Sequence, residues 1–200
     1  MVPALEKIIA ESDRIVFFGG AGVSTESGIP DFRSVDGLYH QKYDYPPETI
    51  LSHTFWEENP EEFYRFYRDK LIVKGAKPNA AHLRLAKLER EGRLKAIVTQ
   101  NIDGLHQRAG SDPALVVEVH GTLHRVACLS CGETAPMERA LERVRGGEED
   151  PACRSCGGIL KSATISFGQS LVPEDIVRAF AAAEACDVLL ALGTDRKSVV

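Results

Sequence analysis

Short apolar runs alternate along this chain with longer segments whose apolar residues recur at helical spacing. Four short, mostly apolar runs are typical of interior strands in a parallel sheet: residues 15–18, 94–98, 115–119 and 187–192. Apolar spacing together with helix-start and helix-stop residues predicts helices over 3–12, 59–73, 79–91 and 175–184. This alternation predicts an α/β fold built on a parallel sheet.

Polar residues stand where the predicted strands end. The segment 99–103 follows the second strand, and the pairs 120–121 and 193–194 follow the two later strands. In open α/β sheets, ligands bind in the crevice outside the carboxyl ends of the strands. We therefore expect these segments to converge on one crevice.

The first strand ends in a glycine loop, which contains Gly19, Gly20 and Gly22. Glycines let the backbone turn tightly and let a ligand approach closely, and the following N–H groups are a common anion site. The dinucleotide pattern is incomplete, because Thr25 stands where a third glycine is expected. The loop alone fits either a nucleotide site or an ordinary glycine-rich turn.

The segment after this loop does not fit a helix, because Gly28 and Pro30 interrupt one. We interpret residues 28–33 as a mobile flap that carries an aromatic ring and a guanidinium. Residues 34–54 are predicted to form a long irregular connection, and such connections are often functional. The aromatic stripe of the 59–73 helix is expected to pack in the core.

Two C-x-x-C knuckles predict a metal site. They consist of Cys128 with Cys131 and Cys153 with Cys156, and a glycine follows each pair. Paired knuckles indicate zinc, and four thiolates on one ion leave no open position for catalysis. We therefore expect one structural Zn²⁺ and disfavour disulfides; the lone Cys186 is expected to be a buried bystander.

The composition bounds the function class. With 200 residues, 44% hydrophobic and 26% charged, the chain fits one globular domain with a small insertion. The net charge of −5, without a basic block, argues against nucleic acid as the main partner. No secretory signal or membrane-length apolar run is present, so we expect a cytoplasmic protein, in a compartment that keeps thiols reduced.

Four motifs in this order resemble the sirtuins, the NAD-dependent protein-lysine deacylases. They are GAGVS at 20–24, GIPDFR at 28–33, TQNID at 99–103 and HG at 120–121. The resemblance extends to about Thr194. It implies a Rossmann-like parallel sheet with helices on both faces plus a zinc ribbon, NAD as co-substrate, and acetyl-lysine proteins or peptides as partners. It also implies release of nicotinamide and transfer of the acyl group to ADP-ribose.

The resemblance assigns site residues one by one. It gives catalytic roles to His120 and Asn101, with His120 as the base that takes a proton from a ribose hydroxyl. Asp103 would accept a hydrogen bond from the nicotinamide carboxamide. The full set of implied NAD contacts is Gly20, Ala21, Gly22, Thr25, Phe32, Arg33, Gln100, Asn101, Ile102, Asp103, His120, Gly193 and Thr194. The other histidines His82, His106 and His124 match no motif and are expected to pack or to lie on the surface.

The resemblance also places the acyl-lysine substrate. Ile165, Phe167 and Gly168 are similar to the family segment that pairs with the substrate backbone. Relatives that prefer acidic acyl groups carry a Tyr-x-x-Arg pair; here Tyr64 matches, but Tyr67 stands at the arginine position and Arg68 lies one residue further on. A carboxylate there would lack a cation, so we expect acetyl and similar neutral groups to be preferred.

The expected domains follow from the same alignment of motifs. Residues 1–121 and 162–194 are expected to form the NAD-binding domain, and residues 122–161 the zinc module. Ser162, Gln169 and Asp195 depart from the family pattern. We expect residues 195–200 to be a non-native tail, the last strands of the sheet to be missing, and NAD binding by this chain to be weak. We expect a monomer.

Two other functions stay open at this stage. A protein ADP-ribosyltransferase would use the same nicotinamide-cleaving site, although His120 and the segment around Phe167 favour deacylation. A non-catalytic zinc-ribbon binding module explains the cysteines but gives no purpose to the motifs around residues 20–33 and 99–103.

Overall fold

The computed structural model describes residues 3–71, 73, 75–148 and 151–194. The expected tail at 195–200 lies outside the described residues, and so does the side chain of Arg68. The strands are β1 (Ile15–Gly19), β2 (Leu94–Thr99), β3 (Val116–Glu118), β4 (Gly121–Cys128), β5 (Thr134–Pro136), β6 (Leu160–Thr164) and β7 (Val188–Leu192). The helices are α1 (Pro3–Glu11), α2 (Pro47–Ile50), α3 (His53–Glu58), α4 (Pro60–Phe66), α5 (Ala80–Arg90), α6 (Leu105–Arg108), α7 (Met137–Arg145) and α8 (Pro173–Glu184).

The four predicted strands form one parallel sheet in the order β3-β2-β1-β7. Alternation along β1 sends Ile15 and Phe17 to one face and Val16 to the other, where two separate apolar clusters form. Ile9 of α1 and Leu85 of α5 pack on the first face, and α8 covers the second. Helices therefore lie on both faces, as the resemblance implies.

The second sheet is small and antiparallel, in the order β5-β4-β6. Its first strand, β4, begins at Gly121, directly after His120, and its last strand, β6, ends at Thr164. Helix α7 packs beside it and carries Arg143 and Arg145 in the last turn, where the helix dipole favours them. The module is thus attached to the main sheet immediately beside the predicted base.

The segment 34–54 is more ordered than predicted. It contains a 3₁₀ turn at Leu38–His40, helix α2 and the start of α3, whose N-cap Ser52 accepts a hydrogen bond from Phe55 N–H. The predicted 59–73 helix is shorter than expected, because α4 ends at Phe66 and a π-helical turn follows at Tyr67–Leu71. Its aromatic stripe is buried as expected, in the cluster of Phe55, Trp56, Phe63, Phe66 and Tyr67.

Strand β7 forms one edge of the parallel sheet in the part of the chain that the structure describes, and Leu189 and Leu192 on it are about half exposed. Within the described residues, no helix combines the length and apolarity needed to cross a bilayer.

Candidate active site and zinc centre

The glycine loop after β1 packs against the turn after β7. Gly22 N–H donates to Gly193 O over 2.9 Å, and a Cβ on Gly22 would stand 2.9 Å from Gly193 Cα. Gly193 has φ of 63°, which glycine adopts readily. These glycines therefore let two strand-end turns touch, in addition to leaving room for a ligand. The following residues, Ala21–Ser27, form a 3₁₀ helix that Gly28 ends at φ of 83°.

The segment after β2 joins the glycine loop through side chains. Asn101 Nδ2 donates to Ser24 Oγ over 3.1 Å, and Ser24 Oγ donates to Asp103 Oδ2 over 2.7 Å. Asp103 Oδ1 accepts the N–H of Leu105, the first residue of α6, over 2.9 Å. Gln100 Nε2 donates to Thr194 Oγ1 over 2.9 Å. Strand-end segments of β1, β2 and β7 thus meet, as the sequence predicts.

Ser24 was not among the predicted site residues, although it lies inside the GAGVS motif. The residue is 1% exposed, and its hydroxyl links Asn101 to Asp103. Its residue type could have indicated a role in the site, because a serine hydroxyl both donates and accepts hydrogen bonds. It also lies in the glycine loop, which is predicted to meet the segment that contains Asp103.

His120 stands between the two sheets. Its Nδ1 lies 3.0 Å from Gln100 O, and its own carbonyl accepts the Ile165 N–H over 2.9 Å. A carbonyl can only accept, so Nδ1 carries the proton in the neutral ring and Nε2 keeps its lone pair. Burial lowers the pKa of His120, and the Gln100 carbonyl opposes this in part. His120 is therefore a neutral imidazole at pH 7 with one basic nitrogen available.

The predicted flap is held to the chain by backbone bonds. Leu38 N–H donates to Asp31 O and Tyr39 N–H donates to Phe32 O, each over 2.8 Å. The Phe32 ring meets the Tyr39 ring edge-on at 5.7 Å, and the Arg33 guanidinium lies 5.6 Å from the centre of the same ring. Burial and a hydrogen bond with Glu48 raise the pKa of Tyr39 to about 12, so this phenol stays protonated.

The predicted substrate segment pairs with the chain itself. Phe167 N–H donates to Leu51 O over 3.1 Å and Phe167 O accepts from His53 N–H over 3.0 Å, while Ile165 N–H is taken by His120 O. The Phe167 ring is 48% exposed, and Gly168 follows at φ of 86°. The segment thus bonds to His120 through Ile165 and carries an exposed aromatic ring two residues further on.

The four knuckle cysteines come together as predicted. Their Sγ atoms lie within 4.8 Å of one another, with Cys128 to Cys156 at 3.5 Å and Cys131 to Cys153 at 3.7 Å. Four sulfurs at about 2.3 Å from a tetrahedral zinc would lie about 3.8 Å apart, so the cluster fits Zn²⁺. The Cys131 backbone N–H lowers the pKa of Cys128 to about 6, which favours the thiolate that a metal needs.

Comparison with known proteins decides the family. The Sir2 family model matches residues 20–199, most of the chain. The chain belongs to the Sir2 family. It is 52% identical over 192 residues to the NAD-dependent protein deacetylase of Clostridium acetobutylicum, covering 95% of this chain and 76% of that protein.

Solved Sir2 structures are similar as well. A Sir2 complex with a p53 peptide and NAD⁺ aligns with a TM-score of 0.80 and 34% identity, covering 97% of this chain and 76% of that one. A Sir2 variant with deacetylated p53 peptide and 3′-O-acetyl ADP-ribose aligns with a TM-score of 0.80 and 35% identity, covering 96% and 75%. The sirtuin resemblance and the α/β fold with a zinc-ribbon insertion are thereby confirmed.

Proposed function

We propose that this sirtuin chain is an NAD-dependent protein-lysine deacetylase, which releases nicotinamide from NAD and transfers the acyl group to ADP-ribose. The observation that carries the proposal is the placement of His120. Its Nδ1 is hydrogen-bonded to Gln100 O, beside the hydrogen-bonded network of Ser24, Asn101 and Asp103. A base, an amide and a carboxylate at strand ends of one sheet suit chemistry on a bound nucleotide. The deacetylase and Sir2 relatives support the same assignment.

The residues present fit NAD. The turn at Gly20, Ala21, Gly22 and Thr25 would line a diphosphate, and Gly193 and Thr194 border it. The Gly20 and Gly22 N–H groups already donate to Leu192 O and Gly193 O, so the glycines would contribute close backbone approach. The Asp103 carboxylate, now hydrogen-bonded to Ser24, suits a carboxamide N–H₂, with Ile102 and Gln100 beside it. Phe32 and Arg33 would cover the ribose. When bound, NAD supplies the ribose carbon that takes up the acyl oxygen.

We assign His120 Nε2 the role of general base, which takes the proton from a ribose hydroxyl. The ring is held by Nδ1 and is neutral at working pH, which are the two conditions that a general base needs. Asn101 is assigned an orienting role, because its amide reaches Ser24 and Thr99 Oγ1 accepts its backbone N–H.

The peptide partner is assigned to the segment beside His120. The exposed Phe167 ring would flank the acyl-lysine, and Ile165 holds the His120 carbonyl. The backbone N–H groups of residues 165–167 already donate within the chain, so Gly168 is the part of this edge that suits an added strand. A p53 peptide is bound in Sir2 relatives.

Neutral acyl groups fit this site better than acidic ones. Tyr67, at the position of the arginine in relatives that prefer acidic acyl groups, is 5% exposed. Its hydroxyl lies 3.1 Å from both Ser162 Oγ and Thr164 Oγ1, which are themselves 3.1 Å apart. These hydroxyls satisfy one another and provide no positive charge for a carboxylate.

The zinc module has a supporting role. The cluster of Cys128, Cys131, Cys153 and Cys156 would hold one structural Zn²⁺, and the ion would hold β4 and β6 in place beside His120. We further propose the division into an NAD-binding domain, residues 1–121 and 162–194, and a zinc module, residues 122–161.

We also propose that the protein is a cytoplasmic monomer that has no nucleic-acid partner. Light scattering tests the oligomeric state.

Mass spectrometry of an acetyl-lysine peptide incubated with NAD tests the function. We expect free lysine, nicotinamide and O-acetyl-ADP-ribose in equal amounts. His120→Ala should lower kcat by about 10²-fold or more, since a positioned base contributes about 10² to 10⁴. The exposed His40 provides a matched control, because His40→Ala should leave the rate unchanged. ADP-ribose found on protein side chains instead would favour the transferase reading.

A further inference from the structure

Two fully buried histidines lie behind the proposed site, outside the set assigned to chemistry. His82 on α5 is 0% exposed and His106 on α6 is 1% exposed. Their ring centres are 4.8 Å apart, tilted by 57°, and the His106 ring also packs on Phe17 of β1 at 5.7 Å. Buried polar side chains are seldom without hydrogen bonds, so each ring nitrogen of this pair is expected to have a hydrogen-bond partner.

Their nitrogens are only partly satisfied by the described residues. His82 Nδ1 lies 3.0 Å from Asn79 Oδ1 and 3.3 Å from the Asn79 backbone N–H, so it finds a partner in either tautomer. His82 Nε2 and both ring nitrogens of His106 have no hydrogen-bond partner among the described residues. A neutral imidazole has one donor and one acceptor, and a buried water commonly makes two to four hydrogen bonds to such groups.

The pair lies between two elements that border the proposed cofactor cleft. Asn79, the partner of His82, donates through Nδ2 to Val23 O in the glycine loop over 2.7 Å. His106 follows Leu105, whose N–H binds the Asp103 carboxylate over 2.9 Å. One histidine is therefore coupled to the loop and the other to the carboxylate that faces it.

We propose that His82 and His106 are positioning residues for the NAD site. As a neutral pair joined through one internal water, they hold the N-terminus of α5 against α6. They thereby fix the position of Val23 relative to Asp103 across the cleft. The proposal rests on the proposed function of that cleft. Because no hydrogen bond or ring contact among the described residues joins the pair to the flap or to His120, it acts on cofactor placement and leaves the proton transfer itself to His120.

A His106→Leu variant tests this role without opening a large cavity. Replacing an incompletely bonded polar ring by an apolar group of similar size is expected to keep the fold, with a melting temperature close to that of the wild type. Amide hydrogen exchange should then rise at least tenfold in residues 21–27 and 103–105. It should stay unchanged at Ile97 and Val98 in β2. His106→Asn, which keeps one donor and one acceptor, should restore most of the protection.

The control is Ser111→Ala, which removes a buried hydroxyl that has no partner among the described residues. The Ser111 N–H donates to His106 O over 3.2 Å, and alanine keeps this backbone bond. Since the Ser111 side chain has no hydrogen bond to Asn79 or Asp103 in the described chain, exchange in the two segments should not change. Unchanged exchange in His106→Leu would overturn the positioning role. So would a uniform rise across β2, since it would indicate a merely structural role.

Binding of ADP-ribose, measured by calorimetry, separates this inference from the proposed function. We expect His106→Leu to weaken binding about tenfold and His106→Asn to weaken it less than threefold. Because NAD binding by this chain is expected to be weak, the titration extends to the highest ADP-ribose concentration that calorimetry allows; a wild-type protein that still binds none would overturn the proposed function, whatever the exchange data show. A wild-type protein that binds it, with equal affinity in His106→Leu, would overturn the positioning role alone. A crystal structure should show a water within about 3 Å of His82 Nε2 and of a His106 nitrogen.

Discussion

Tyr67 is the residue at which the proposed preference for neutral acyl groups can be tested directly. Its hydroxyl is shared with Ser162 and Thr164, both on β6 beside the zinc module. Ser162 stands where the family pattern has proline, and it uses the hydroxyl that proline would lack. The departure thus helps to fix Tyr67 in an orientation that satisfies its polar atom inside the protein.

Tyr67→Arg should shift the preference toward acidic acyl groups. A guanidinium there would keep Ser162 and Thr164 as acceptors and could bind a carboxylate, and a charged hydrogen bond contributes about 1.5–3 kcal/mol. We expect the ratio of kcat/KM for succinyl-lysine over acetyl-lysine peptide to rise about tenfold, which corresponds to about 1.4 kcal/mol. Competition between the two peptides measures this ratio.

Tyr67→Phe is the matched control for that change. It removes the hydroxyl but keeps the ring stacked on Phe63, so it should lower the free energy of unfolding by about 1 kcal/mol. The ratio of kcat/KM for succinyl-lysine over acetyl-lysine peptide should stay the same as in the wild type. A wild-type enzyme that removes succinyl faster than acetyl would contradict the preference itself.

Single residues also differ in how well the sequence predicts them. His120, Asn101, Asp103 and the cysteines follow from motifs that combine residue type with local spacing. Ser24 meets Asp103 across 79 positions, and Asn79 meets Val23 across 56. Such partnerships depend on how α5 and α6 pack on the sheet, and no local pattern contains that information.

Among the elements, the strands were predictable and the connections were not. Fully apolar runs specify buried strands, so the predicted runs became β1, β2, β3 and β7. The segment 34–54 is polar and proline-containing, and its 3₁₀ turn and α2 depend on contacts such as Tyr39 N–H to Phe32 O. Helix α6 has only four residues, and the Asp103 carboxylate accepts its first N–H, so periodicity cannot reveal it.

The packing of α5 on α6 makes stability depend on pH. Burial lowers the pKa of His106 to about 4, and charge on His82 lowers it further; burial also lowers the pKa of His82, and Asp103 partly opposes both shifts. The unfolded chain titrates near 6.5, so it binds more protons than the folded chain between about 6.5 and 4. Stability from the neutral ring is therefore complete above 6.5 and is lost as the pH falls to about 4.

The expected loss from His106 is about 3 kcal/mol over that interval, if the whole shift reflects the folded state. Urea unfolding at pH 7 and at pH 4.5 should show it as a difference between wild type and His106→Leu. Taking this difference cancels effects common to both proteins, such as protonation of the cysteines. Parallel pH curves for the two proteins would contradict the prediction.

The contact between the turns after β1 and β7 can be tested by substituting the glycine at its centre, Gly193. A Cβ at Gly193 would lie 2.3 Å from Val23 N, and the residue has φ of 63°. Gly92 also has positive φ, 73°, but a Cβ there would meet nothing within 4 Å. Gly92→Ala should cost about 1 kcal/mol from conformation alone, and Gly193→Ala clearly more. Thermal unfolding measures the loss of stability in each variant, and the difference between the two losses is the steric contribution at Gly193. Equal losses of stability would contradict the prediction.

In the whole molecule, the two sheets meet at His120. Parallel strands place their carboxyl ends at one edge, which is why the sequence predicts convergence of segments 99–103, 120–121 and 193–194. The cysteine spacing predicts the metal cluster equally well. How the zinc module is attached could not be predicted, because it depends on Ile165 N–H reaching His120 O and on Gly121, where a Cβ would lie 2.0 Å from Ala163 O.

That attachment predicts that removing zinc will stop a reaction in which the metal takes no part. Bound metal supplies folding free energy to small modules whose ligands are otherwise unpaired. Without it, the pairing of β4 with β6 should loosen, and so should the hydrogen bond that holds the His120 carbonyl. Chelation should therefore lower the melting temperature and abolish deacetylation, and restored zinc should return both at one ion per chain.

Cys128→Ser should reproduce the effect of chelation, because Cys128 is a buried member of the cluster. Cys186→Ser is the matched control, since that thiol packs on the parallel sheet, outside the four-cysteine cluster, and donates to Ala183 O. It should leave zinc content and activity unchanged. If a zinc-free protein kept full activity, the position of His120 would be set by β2 and β3 alone, through Gln100 O and the strand that precedes it. The module would then serve some purpose other than supporting the base.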